Sequence, residues 1–176
     1  MRALRSSACQ NLPMHDPLEI SLRIACAALA GILLGLNRWL HHKSAGVKTH
    51  ALVAIGSAAA VMLVVPGTGV EFADASLVAL DASSRVVQGV LAGIGFLGAG
   101  VIIHNARGKR IQGLTTAASI WATTVIGMAY GRGLFVMGFI SLAGIGFALF
   151  AGAWMERLMA SLIGHNTHVQ KEEDSP

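Results

Sequence analysis

Apolar positions along the chain gather into five blocks, at about residues 18–36, 49–65, 86–103, 114–130 and 134–154, with short polar or charged stretches between them. Each block is near the ~17 to 25 residues that a membrane-spanning helix needs. None alternates apolar and polar residues as a transmembrane strand would, so the pattern predicts helices. The second block is among the shortest and is the least suited to a full span.

The connecting stretches predict how these helices are threaded. Arg38, His41, His42, Lys43 and Lys48 lie between the first two blocks, and Arg107, Lys109 and Arg110 between the third and fourth. By the positive-inside tendency both stretches face the cytoplasm. The stretch 66–85 carries Glu71, Asp74 and Asp81 and a single basic residue, Arg85, and is expected outside. Gly131, Arg132 and Gly133 form so short a link that the fourth and fifth helices are expected to be an antiparallel pair. Alternation puts the N-terminus outside and the C-terminus in the cytoplasm, leaving Arg2 and Arg5 on the less favoured side. A re-entrant second block would reverse the N-terminus.

Composition agrees with lipid as the surrounding medium. Of 176 residues, 54% are hydrophobic and 12% charged, against roughly 25% charged in soluble domains. Twenty-one glycines suit helices whose backbones approach closely in a bilayer. The net charge of +4 comes from scattered residues and not from one basic stripe, so no nucleic-acid partner is expected. Cys9 in the N-terminal tail and Cys26 in the first block suggest no disulfide framework. The expected architecture is an all-α membrane protein, a glycine-rich, close-packed bundle of about five transmembrane helices. Residues 1–17 form a tail, 18–156 the membrane domain and 157–176 a polar tail expected to be disordered from His165 on.

Small residues recur every four positions on three blocks: Ala27, Gly31 and Gly35; Thr115, Ser119, Thr123, Gly127 and Gly131; Gly144, Ala148 and Gly152. Such faces favour helix packing over a polar lining for a solute path. The third block holds Gly93, Gly95 and Gly98 within GIGFLGAG. This literal GxGxxG lacks the preceding strand and the later carboxylate of a dinucleotide site. Its glycines are expected to serve packing or to mark a hinge where the helix is broken.

Polar groups within or beside the blocks are the functional candidates, because burying them is expensive without partners. Arg23, Arg85 and Gln88 share the expected outer face, where each is read first as a snorkelling anchor and alternatively as part of one converging pocket. Asn37, Arg38, Lys48, Thr49 and His50 form the matching cytoplasmic cluster, and Thr115 and Thr116 open the fourth block. No Asp or Glu lies in the interior of any block, Glu19, Asp81 and Glu156 sitting at or outside the ends, which argues against a carboxylate cation site. His41 and His42 are adjacent instead of one helical turn apart, so no metal site is assigned. With no nucleophile–base pair or P-loop, neither enzyme activity nor a cofactor is expected. The expected partners are the lipid bilayer and another membrane protein or a second copy of the chain.

Three ordered stretches carry a family resemblance: Ala45-Gly46-Val47-Lys48-Thr49-His50-Ala51-Leu52-Val53, then Arg85-Val86-Val87-Gln88-Gly89 leading into Gly93 to Gly100, then Gly113-Leu114-Thr115-Thr116-Ala117-Ala118. Together they resemble the MgtC/SapB family of bacterial inner-membrane proteins, over roughly residues 20–150. The resemblance implies a multi-helix inner-membrane protein linked to adaptation to low magnesium. In some relatives it implies survival inside host cells and interference with the membrane ATP synthase. Relatives often carry Glu where this chain has Asn37, which removes a charge there. Only about twenty residues follow the last block, so functions resting on a C-terminal cytoplasmic domain are not carried over, and the chain looks like the short SapB type.

Overall fold

Each apolar block becomes one helix in the computed structural model, which describes residues 16–64, 77–104 and 113–173. The helices are α1 (Pro17–Leu40), α2 (Val47–Met62), α3 (Leu77–His104), α4 (Leu114–Gly131) and α5 (Phe135–Glu173). Local chemistry sets several of their ends. Asp16 caps α1 by accepting from the Leu18 N–H at 3.1 Å, and Pro17 occupies the first turn, where its missing N–H costs nothing. α1 stops where His42 adopts a left-handed φ of 51°, its N–H bonding to Trp39 O while the Lys43 N–H reaches Arg38 O. α4 stops in the same way at Gly133, φ 74°, with bonds to Tyr130 O and Ala129 O.

By length and apolarity, α1, residues 81–102 of α3 and Phe135–Met159 of α5 can cross a membrane. α2 is a shorter apolar helix of 16 residues, about 24 Å at 1.5 Å per residue against a hydrocarbon layer of about 30 Å. α4 carries five hydroxyl side chains between Thr115 and Thr124. It packs on α1, α2 and α3, while α1 packs on α2. Among the described residues α3 reaches α4 and, more lightly, α2, but not α1. The helix richest in hydroxyl side chains thus takes the buried position.

Glycine makes this packing possible. A Cβ at Gly31 would lie 2.5 Å from His50 O, and one at Gly35 2.6 Å from Val47 Cα. On α4, a Cβ at Gly127 would lie 2.4 Å from Ala54 O, and one at Gly131 2.5 Å from Ala58 O. No side chain fits at those distances, so α2 is pressed between the glycine faces of α1 and α4. The order of these contacts makes α1 antiparallel to α2 and α2 parallel to α4. The small-residue faces read from the sequence on the first and fourth blocks are therefore packing faces, with one correction: Thr115 is exposed, and Thr116 occupies the buried position.

α3 departs from expectation. It is one continuous helix, neither broken nor hinged, because its backbone bonds run on through the glycines. Gly93 and Gly95 face open space with nothing within 4 Å of a built Cβ, and only Gly98 meets a neighbour, Ala117 Cβ at 3.5 Å. Between α2 and α3 lies an open apolar cleft of about 400 Å³ lined by Leu52, Gly56, Val90, Gly93 and Leu97.

The chain divides into two units, one ending at Phe139 and one beginning at Ile140. In the first, Tyr130 is fully buried beneath the start of α5. It meets Phe139 edge-on with ring centroids 5.6 Å apart, and it leaves room only for glycine at position 138. In the second, α5 continues to Glu173 through the tail expected to be disordered. Lys, Gln and Glu near its end are good helix formers, and no proline intervenes before Pro176. Gly144, Ala148 and Gly152, read as a packing face, are exposed.

Candidate functional site

α1 places two arginines fifteen residues apart, about 22 Å along the helix, and both are buried. Arg23 is 1% exposed. Its Nη1 donates to the carbonyl of Gly131, at 2.8 Å, and its Nη2 pairs with Glu19 one turn earlier. Gly131 ends α4, where carbonyls lack helical partners and the helix dipole favours a cation. Arg23 is therefore a cap on α4 and does not snorkel to the membrane surface. The reason is geometric: residues 23, 27 and 31 share one face of α1, and that face is covered by α2 and α4.

Arg85 and Gln88 do not join it. Arg85 is exposed and pairs with Asp81 at 2.8 Å, and the exposed Gln88 donates to Ser84 Oγ at 3.2 Å. Since α3 does not reach α1 among the described residues, the converging pocket of Arg23, Arg85 and Gln88 does not form.

The opposite end holds a second polar cluster linking α1, α2 and α4. Arg38, 4% exposed, donates from Nη2 to Thr116 Oγ1 at 2.7 Å, and its Nε is buried without a hydrogen-bond partner. His50 is fully buried, with Nδ1 2.9 Å from Gly46 O and Nε2 3.1 Å from Ser119 Oγ. Gly46 O can only accept, so Nδ1 carries a proton. Ser119 Oγ also lies 2.8 Å from Thr116 O. Its single proton cannot serve both neighbours. A neutral His50 takes that proton at Nε2; a charged His50 donates to Ser119, which then donates to Thr116 O. The direction of the Ser119 hydroxyl is thus tied to the charge on His50.

Of the expected cytoplasmic cluster, Arg38 and His50 converge, and Thr116 from the start of the fourth block joins them. Asn37 is half-buried, and its backbone carbonyl accepts from His41 Nδ1 at 2.8 Å. Lys48 and Thr49 are exposed and line, with Trp39 and Val47, an open depression of about 540 Å³ at the start of α2. Thr115 is exposed. Ser119 stood in the sequence first as a packing residue and alternatively as part of a polar path lining; its place one turn after Thr116 was the available sign of its role in this cluster. The other buried hydroxyls of α2 and α4 are satisfied within their own helices, Thr123 by Ser119 O at 2.8 Å, Thr124 by Ile120 O at 3.0 Å and Ser57 by Val53 O at 2.6 Å. Such back-bonding suits a packed interface and not a hydrated path. Among the described residues no three His, Cys, Asp or Glu side chains are grouped to hold a metal. Cys26 is a half-buried free thiol.

Among the described residues, three helices long and apolar enough to cross a bilayer, with a buried helix rich in hydroxyl groups, define a multi-helix membrane protein whose natural surroundings are lipid. The chain belongs to the MgtC family, whose model matches residues 24–164. It is 46% identical over 135 residues to protein SrpB of Synechococcus elongatus, covering 73% of this chain and 72% of that one. It is 39% identical over 155 residues to the Escherichia coli K12 protein named "Putative magnesium transporter YhiD", covering 86% and 67%. Protein MgtC of Brucella abortus is 39% identical over 112 residues, covering 63% of this chain and 42% of that longer protein. No solved structure matches the chain.

Proposed function

We propose that the protein is a bacterial inner-membrane factor that supports magnesium homeostasis or adaptation to low-magnesium and envelope stress through contacts with another membrane protein or a second copy. Family membership and the magnesium in a relative's name support the link to that ion. The observation that carries the mode of action is the contrast between a closed α1–α2–α4 core and the open apolar side of α3, where Phe96 is 83% exposed and Gly93 and Gly95 meet nothing. In this reading the N-terminus is outside and the C-terminus cytoplasmic, and no catalytic step is performed.

Photo-crosslinking from Phe96 in native membranes under magnesium limitation tests it. A defined protein adduct is expected there and not from Leu29 on α1. Recovery of monomer only would count against the proposal.

A second reading, ion or small-solute transport, is favoured by the relative's name and by the polar cluster along α4. Flux into liposomes containing the purified chain, abolished by Thr116→Val, would establish it; absence of flux across a broad solute panel would remove it.

A further inference from the structure

Electrostatics at the Arg38 end of the bundle are unbalanced. The guanidinium is buried, makes one hydrogen bond, to a neutral hydroxyl, and keeps Nε without a partner. Thr116 is the third residue of α4, so this cation is held against the first turn of a helix, where unpartnered N–H groups and the dipole are already positive. That turn has no side-chain cap: Gly113 precedes it with φ 89°, and the first backbone bond back to it comes from the Ala117 N–H. Two positive features thus face each other out of water, an arrangement that costs energy until an anion joins them.

Among the described residues of the unit ending at Phe139, no carboxylate lies nearby. Residues 24–70 and 82–155 contain neither Asp nor Glu. In the unit ending at Phe139, Asp16 caps α1, Glu19 pairs with Arg23 and Asp81 pairs with Arg85, all toward the opposite end. His41, His42, Lys43 and Lys48 add exposed basic groups at the Arg38 end. Leu114 is 58% exposed and Thr115 is exposed, so the first turn of α4 can be approached from outside.

The geometry points to an anion site that takes a phosphate group between Arg38 and the first turn of α4. A tetrahedral oxyanion accepts from a guanidinium fork and from several helix N–H groups at once. The phosphate comes either from an anionic lipid headgroup, since the apolar span of α1 ends here, or from free phosphate. This inference is independent of the magnesium reading.

The test uses the full-length chain purified in a phosphate-free maltoside detergent. Inorganic phosphate is titrated in one arm and phosphatidylglycerol in mixed micelles in the other, with phosphatidylcholine as control. Binding is read from the thermal midpoint and by native mass spectrometry. Protection in either arm is expected, and which arm responds assigns the source. Arg38→Met should weaken binding about tenfold or more. Arg38→Lys, which keeps the charge but loses the fork, should weaken it about tenfold and serves if Arg38→Met does not fold. No binding in either arm, wild-type affinity in the folded variants, or equal protection by acetate at matched ionic strength would overturn the site.

Discussion

The glycines of α1 and α4 and those of α3 look alike in the sequence and behave oppositely in the fold. Gly31, Gly35, Gly127 and Gly131 press against the backbone of α2, whereas Gly93 and Gly95 lie on an uncovered surface. A small-residue face permits close approach but does not specify what approaches. In α1 and α4 the partner lies within the same chain. In α3 the surface is left to the surroundings, which is why the proposed contact with another chain is placed there and not at the core.

The sharpest way to break this comparison is to fill both kinds of glycine. Gly127→Leu and Gly31→Leu should each abolish a monodisperse, folded chain in detergent, because backbone atoms of α2 occupy the required space. Even Gly127→Ala should cost about 3 kcal/mol in unfolding free energy. Arg23→Met comes next: it uncaps the Gly131 carbonyl and removes the ion pair with Glu19, and should lower stability by about 2 kcal/mol in denaturant titrations. Ser119→Ala should cost about 1 kcal/mol, the usual size for one hydrogen bond. The smallest change is expected for Gly93→Ala and Gly95→Ala, which touch nothing and should be neutral or stabilising by up to about 1 kcal/mol. A loss at Gly93 as large as that at Gly127 would erase the distinction between the regions. Unchanged stability with loss of the Phe96 adduct in Gly93→Leu would sharpen it.

Much of the fold was legible because span length and hydropathy are properties of single segments. Helix existence, the shortness of α2 and the packing faces of α1 and α4 all follow from them. What pairs with what was not legible. Arg23 near a helix end reads as an interfacial anchor until α4 is known to place a carbonyl beside it. Thr115 and Thr116 differ by one position, about 100° around the helix, and four-residue spacing selected the wrong one. The continuity of α3 was hidden for a related reason: glycine content reports that a helix can break, not that a neighbour requires it.

The bond from Arg23 to Gly131 also bears on biosynthesis. Its two ends are 108 residues apart in the chain, and a ribosome adding about 5 to 20 residues per second needs several seconds to supply the second after the first. During that interval the nascent first helix has Glu19, one turn away, but not its carbonyl. The Arg23–Gly131 bond is therefore made only once α4 has been synthesised, and a chain halted between the two would hold α1 without that contact.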